Sequence, residues 1–167
     1  MNLIGLLVKN RDIIQIKKGY IIVNSLYPKL LVFLQFGTIF LIVINSKGIL
    51  HSFLGVSIFV IGAIIGIWAI RHNELGNFNI QPKMKENAKL ITTGIYAYIR
   101  HPMYLSVIIM MLGFLLSSFN FSNLLLFVFL VFVLYLKAKR EENIWCNHTN
   151  EYLEYKSKTK LILPFIL

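Results

Sequence analysis

The chain has 167 residues, 57% of them hydrophobic and only 14% charged, which excludes both an ordinary water-soluble globule and a disordered chain. Its 17 basic residues outnumber its 7 acidic ones and give a net charge of +10; in so apolar a chain this indicates cationic loops beside a membrane, with no nucleic-acid partner. The length indicates one domain over residues 1–167, and the single cysteine, Cys146, excludes an intrachain disulfide and a multi-cysteine metal site.

Four apolar stretches predict an all-α polytopic membrane protein with about four transmembrane helices. They cover about 26–45, 49–70, 103–119 and 121–137. A span needs roughly 20 mostly apolar residues, and the second stretch fits this length well. The third and fourth stretches are shorter and only Asn120 and its neighbours part them, so they predict a tight C-terminal helical hairpin.

The basic residues predict the orientation of these helices. The first connection holds only Lys47 and the third holds no basic residue. The other 16 basic residues comprise five in residues 1–29, five in 71–102 and six from 137 onward. By the positive-inside rule both termini and the loop 71–102 are cytoplasmic. All seven acidic residues fall on the same face, so we expect an integral membrane protein whose active site is cytoplasmic.

Two polar or small-residue features lie inside the apolar stretches. Gly62 and Gly66 form a small-xxx-small pattern, with Gly55 on nearly the same face, and such patterns let helix backbones approach closely. The pattern predicts internal packing, with a homodimer through the Gly62/Gly66 face as the alternative. Gln35, inside the first stretch, is expected to bond across helices.

The segment 89–104 joins a polar loop to the third span. Pro102 suits the first turn of a helix, and the residue before a proline is pushed away from helical angles. His101 is therefore predicted at a bend on the membrane surface, with Tyr104 about one turn deeper. Further upstream, Gly94 allows a turn between Thr93 and Ile95. The residues alone also allow a simple interfacial anchor, because Arg, His and Tyr all suit the headgroup region.

A second polar cluster lies where the fourth span leaves the membrane. A single helix places Glu141 on the same face as Lys137, four residues earlier. The adjacent carboxylates Glu141 and Glu142 are costly near the apolar boundary unless paired, and Lys137 and Arg140 are candidate partners. A solvated charged helix end is the alternative. The predicted hairpin brings this cluster and the segment around Pro102 to the same membrane surface.

Four short motifs follow one another in the second half of the chain. They are TxGxY at 92–96, RHPxY at 100–104, EE at 141–142 and EYxxY at 151–155. The ordered set, covering about residues 78–167, resembles the isoprenylcysteine carboxyl methyltransferase family, whose wider group includes phospholipid N-methyltransferases. The resemblance implies an integral membrane methyltransferase that uses S-adenosylmethionine and has no soluble Rossmann domain.

The same resemblance implies the members of the site. The cofactor pocket would include Gln81, Ala88, Lys89, Leu90, Ile91, Tyr96, His101, Pro102, Met103, Tyr104 and Glu141. The family has an arginine that orients the acceptor carboxylate. If Trp145 occupies the position of the family leucine, this arginine corresponds to Lys137. Arg140 is a second candidate for the same role. A carboxylate acceptor needs no general base, since it is ionised at neutral pH. An amine or thiol would need one, and His101 or Glu142 are the candidates.

The acceptor is expected to be lipidic or membrane-partitioned, with a prenylcysteine-type carboxylate as one candidate. The sequence departs from the family pattern near the acceptor side, because Thr149-Asn150 replaces the usual Phe-Gly before EYxxY. Two other readings stay open. One is a membrane reductase of related fold that uses NADPH, and the other is a non-enzymatic membrane scaffold that uses the Gly62/Gly66 face.

Overall fold

A computed structural model describes residues 26–73 and 89–163 of the chain. These residues form five α-helices and two short 3-10 turns at Ile49–His51 and Gly94–Ala97. The helices are α1 Leu26–Asn45, α2 Phe53–His72, α3 Pro102–Ser117, α4 Phe121–His148 and α5 Asn150–Lys158. Helices α1, α2 and α4 are long and apolar enough to cross a membrane, and α3 is a shorter apolar helix. The predicted all-α membrane fold is confirmed.

Helices α2 and α4 each follow a residue whose side chain satisfies one backbone N–H group of the first turn. Ser52 caps α2 by accepting from Gly55 N at 3.1 Å, and Asn120 caps α4 by accepting from Asn123 N at 2.8 Å. Pro102 is the first residue of α3, where its missing N–H has no intrahelical acceptor to lose. These caps explain why the second apolar stretch becomes helical only at Phe53, after a 3-10 turn.

The four longer helices run alternately up and down. In α2 and α3, Gly55 faces Gly113 while Gly66 faces Ser106, so the two helices are antiparallel. Helices α3 and α4 form the predicted hairpin around Asn120. In α1, Gln35 reaches Lys137, and Ile42 packs with Leu130, so α1 is antiparallel to α4.

This arrangement gives the bundle two chemically different ends. At the far end, Lys47 N donates to Ser118 Oγ at 3.0 Å and Ser117 Oγ donates to Gly48 O at 2.8 Å. The opposite end, called the site end below, collects residues 94–104 and 137–163. Helix α4 has 28 residues and is roughly 42 Å long, so it extends beyond a hydrocarbon core of about 30 Å and carries its polar last turns to the site end.

A parallel β-bridge ties the end of the chain to the start of α3. Ile99 pairs with Lys160, Arg100 N donates to Lys160 O at 2.8 Å, and His101 N donates to Leu161 O at 3.0 Å. Residues 150–163, the C-terminal segment, therefore lie directly against the segment that precedes α3. A buried apolar cluster fixes this contact, with members Ala69, Ile95, Ile99, Leu105, Ala138, Leu161 and Ile162.

The glycine face of α2 packs within the chain. A Cβ on Gly62 would lie 2.8 Å from Met110 N, and one on Gly66 would lie 2.6 Å from Ser106 Oγ. Ser106 Oγ also donates to Gly62 O at 2.9 Å, as close approach of the backbones allows. This is the predicted internal packing. A homodimer through the same face stays a prediction, and it would require α3 to move away.

We expect Gly62→Ala to lower the free energy of unfolding by about 1–3 kcal/mol, the usual cost of overpacking. The added methyl would press on the backbone of α3, which has no flexible side-chain end to give way. The measurement is thermal or denaturant unfolding of the purified protein in detergent. Gly37→Ala is the matched control, because a Cβ there meets nothing within 4 Å. Equal stability of the two variants would contradict the close α2–α3 contact.

Candidate active site

The two polar clusters predicted from the sequence meet at the site end. Tyr104 Oη donates to Glu141 Oε1 at 2.6 Å, and His101 Nδ1 lies 3.3 Å from Glu141 Oε2. The rings of His101 and Tyr104 stack with centroids 5.3 Å apart and an interplanar angle of 3°. His101, Tyr104 and Glu141 together are called the His101 cluster. It confirms that the hairpin brings the RHPxY and EE motifs to one surface.

Local backbone geometry places His101 in this cluster. His101 has φ −124° and ψ 59°, outside the helical region, and its carbonyl accepts from Tyr104 N and Leu105 N as α3 begins. This is the bend that Pro102 predicts. Upstream, Gly94 has φ +60°, and a Cβ there would collide with the His72 ring at the end of α2. Two features therefore require glycine at position 94: the left-handed backbone conformation and the lack of space for a side chain.

The chemistry of the His101 cluster is that of an oriented carboxylate. In the tautomer whose proton is on Nδ1, which faces Glu141 Oε2 at 3.3 Å, the imidazole carries its lone pair on Nε2. Nε2 is buried and has no hydrogen-bond partner among the described residues, and the His101 side chain is only 10% exposed. Buried polar atoms are nearly always paired, so an atom of this kind marks a place where a ligand group fits.

The two candidate acceptor-binding cations lie beside the cluster and contact α1. Lys137 is 2% exposed, donates to Gln35 Oε1 at 2.5 Å, and has its Nζ 5.2 Å from the centre of the Tyr104 ring. The Arg140 guanidinium lies over the Tyr27 ring at 5.2 Å. The predicted cross-helix bond of Gln35 is confirmed, and it joins the first span to the site.

Glu142 points to a different set of partners from its neighbour Glu141. Its Oε1 accepts from Arg100 Nε at 2.5 Å, and its Oε2 lies 3.1 Å from Lys156 Nζ and 3.9 Å from Lys139 Nζ. The Glu142 side chain is 1% exposed. A carboxylate held by cations is a weak proton acceptor, so this placement favours a structural role over that of a general base.

The C-terminal segment also contacts the turn before α3. Tyr155 Oη donates to Tyr96 O at 2.6 Å. Burial and the nearby Glu141 carboxylate raise the pKa of Tyr96 to about 12, and burial likewise raises the pKa of Tyr155. Both phenols therefore stay neutral at physiological pH and add no charge next to the site.

Comparison with known proteins agrees with this geometry. The sequence model of a phospholipid methyltransferase family matches residues 50–151, more than half of the chain. The chain belongs to the phospholipid methyltransferase family. The matched range contains α2, α3, all of α4 and hence the whole His101 cluster. The chain is thus a member of a membrane methyltransferase family, and the isoprenylcysteine-methyltransferase-like resemblance of its motifs is confirmed.

The chain is also similar to the protein-S-isoprenylcysteine O-methyltransferase of Saccharomyces cerevisiae. The two are 30% identical over 89 residues, which cover 52% of this chain and 37% of that protein. The chain therefore matches little more than a third of the length of this relative.

The structure gives the positions of most of the residues predicted to bind the cofactor. Tyr96, His101, Pro102, Met103, Tyr104 and Glu141 gather at the site end. Lys89 is exposed and Leu90 and Ile91 are half-buried in the non-helical stretch before Gly94. Gln81 and Ala88 lie outside the described residues. The cofactor contacts of all these residues stay predictions.

The sequence does not predict a role for several residues around the site. Arg100 belongs to the RHPxY motif and Tyr155 to the EYxxY motif. Membership of these motifs is the only feature of the sequence that points to them. Tyr27, in contrast, gave no signal, because only the packing of α1 against α4 brings it to Arg140.

We expect Tyr155→Phe to lower the free energy of unfolding by about 0.5–1.5 kcal/mol, because the Tyr96 carbonyl loses its donor. Unfolding of the purified protein in detergent measures this change. Tyr98→Phe is the control, since Tyr98 is 64% exposed. A loss of stability for Tyr98→Phe equal to that for Tyr155→Phe would contradict the contact.

Proposed function

We propose that the protein is an integral membrane methyltransferase that uses S-adenosylmethionine and methylates a lipidic or membrane-partitioned acceptor. The observation that carries the proposal is the His101 cluster, which brings together a carboxylate and a buried imidazole nitrogen from two motif segments. That nitrogen has no hydrogen-bond partner among residues 26–73 and 89–163. The family membership supports methyl transfer, and the apolar helices support a membrane location.

The residues of the cluster fit the cofactor chemically. Glu141 already accepts from Tyr104 and lies beside His101, yet a carboxylate has about four acceptor positions, so two remain for an ammonium group. His101 Nε2 supplies a buried acceptor for a hydroxyl or amino group. When bound, S-adenosylmethionine supplies an already activated methyl group on a sulfonium centre.

The work left to the protein is alignment rather than proton transfer. Tyr104 and His101 fix the Glu141 carboxylate, so that it can hold a cationic ligand group in one orientation. Holding donor and acceptor in line accounts for a large part of a barrier in reactions of this type. The neutral phenol of Tyr96 adds no charge that would compete for the ligand.

The acceptor side of the proposal rests on Lys137 and Arg140. Both lie on α4 within one turn of Glu141, and both contact residues of α1. A cation in this position suits an ionised carboxylate such as that of a prenylcysteine, the substrate type in the name of the yeast relative. Access from the bilayer suits a lipidic acceptor, because the surrounding α1 and α4 faces expose apolar side chains.

An amine or thiol acceptor would need a general base. His101 is the better placed of the two candidates, because Glu142 is held between Arg100 and Lys156. Base catalysis by Glu142 is therefore disfavoured by its surroundings.

We further propose that the site end faces the cytoplasm. The distribution of basic residues supports this orientation, since only Lys47 of the 17 lies in the far-end connections. In a background with Cys146→Ser, we expect Lys47→Cys to react with a membrane-impermeant thiol reagent added to intact cells and Lys158→Cys to be protected. Both positions are exposed on the protein. Labelling of residue 158 from outside, with residue 47 protected, would reverse the orientation.

The test of the proposed function is cofactor binding. Wild-type protein in detergent should bind S-adenosylmethionine, and we expect Glu141→Gln and His101→Ala to raise the Kd by about 10- to 100-fold, the effect of losing one charged or buried hydrogen bond. Equilibrium dialysis measures the Kd, and mass spectrometry identifies any co-purified ligand.

Glu151→Gln provides the matched control for Glu141→Gln. It makes the same change of charge on an exposed residue of α5 and should leave the Kd unchanged. Absence of S-adenosylmethionine binding up to millimolar concentration would refute the proposal. Selective binding of NADPH in its place would favour the reductase, and full cellular function after joint substitution of His101 and Glu141 would favour the scaffold.

A further inference from the structure

We propose that Arg100 and Glu142 are positioning residues that hold His101 and Glu141 in register for cofactor binding, without touching the cofactor themselves. This inference rests on the proposed function. It also assigns the C-terminal segment a part in that function, because this segment supplies most of the remaining partners of Arg100.

The first observation is that two adjacent side-chain pairs join the segment before α3 to α4. Arg100 and His101 are consecutive residues before α3, and Glu142 and Glu141 are consecutive residues of α4. Arg100 Nε lies 2.5 Å from Glu142 Oε1, and His101 Nδ1 lies 3.3 Å from Glu141 Oε2. A shift of either element that broke the first pair would also misalign the second.

The second observation is the number of groups that Arg100 holds. Its Nη1 donates to the carbonyl oxygens of Lys156 and Thr159 and lies 3.3 Å from Thr159 Oγ1. One planar guanidinium thus joins α4, the C-terminal segment and the segment before α3. A lysine at position 100 could keep the charge but could not make bonds in all these directions.

The third observation is that the polar atoms of this pair are already held by other parts of the chain. Arg100 donates to Glu142 and to two carbonyl oxygens of the C-terminal segment, and Lys156 Nζ lies 3.1 Å from Glu142 Oε2. Arg100 and Glu142 therefore act through their neighbours. Small errors in position are costly in sites of this kind, since a displacement of about 1 Å can cost about 100-fold in rate.

The experiment compares Arg100→Lys and Glu142→Gln with wild type in two measurements. Equilibrium dialysis should show the Kd for S-adenosylmethionine raised by about tenfold or more in both variants. The double variant should be no worse than about the poorer single one, because the two residues share one interaction. Hydrogen exchange read by mass spectrometry should show faster exchange in residues 98–104 and 159–163, where the bridge amides lie, and unchanged exchange in α2.

Two further variants separate positioning from general stability. Gly55→Ala places a Cβ 2.8 Å from Gly113 O at the far end of the bundle, so it destabilises the fold away from the site and should leave the Kd unchanged. Lys156→Met removes a second cation from Glu142, and because the Lys156 side chain is 36% exposed we expect this variant to fold. We expect it to raise the Kd less than Arg100→Lys does.

The outcomes are distinct. A wild-type Kd in Arg100→Lys and Glu142→Gln, or an equal rise in Gly55→Ala, overturns the positioning role. If wild-type protein binds no S-adenosylmethionine, the proposed function fails and the role in cofactor binding fails with it. Hydrogen exchange separates the two failures: unchanged exchange in residues 98–104 overturns the ordering of this segment by Arg100 and Glu142, and a local increase retains that ordering without the cofactor.

Discussion

The site end of the bundle depends on one buried ion pair. Arg100 and Glu142 join three parts of the chain: the segment before α3, the end of α4 and the C-terminal segment. Removing one partner of a buried pair leaves an uncompensated charge and costs about 3–5 kcal/mol. The side chains of this pair are 8% and 1% exposed, so little water can replace either partner.

The far end is held by different forces. There, α2 and α3 meet through glycines, and the backbone of one helix lies against the backbone of the other. Lipid tails are as apolar as leucine side chains, so burial alone does not drive helices together in a bilayer, and close packing of small residues takes its place. The start of α3 is set separately, by Pro102 and by the β-bridge between Ile99 and Lys160.

Much of this arrangement follows from the sequence. Continuous apolar stretches predict the four longer helices, Pro102 predicts the start of α3, and Asn120 predicts the hairpin. The hairpin in turn predicts that the RHPxY and EE motifs share one surface, as the 2.6 Å bond between Tyr104 and Glu141 confirms. These inferences succeed because each depends on local geometry or on the fixed thickness of a bilayer.

The pairing within the polar clusters could not be predicted in the same way. Helix spacing suggests Lys137 and Arg140 as partners of the two glutamates. In the structure, Glu142 contacts Arg100 and Lys156. Lys137 donates a hydrogen bond to Gln35. The sequence shows which side chains share a helix face but not which other element covers that face. The β-bridge between Ile99 and Lys160 is such a case, because no apolar pattern marks it.

Lys137, which the family resemblance places where an arginine is expected, has a bonding partner in α1. A lysine ammonium is a compact charge with three donors, whereas an arginine presents a planar fork that needs several acceptors. Here the ammonium is fully buried, bonded to Gln35 and close to the Tyr104 ring, so one short side chain and one aromatic face satisfy it. The first span is thereby coupled to the same tyrosine that orients Glu141. A change of residue at position 35 would therefore act on the acceptor side and the cofactor side of the proposed site together.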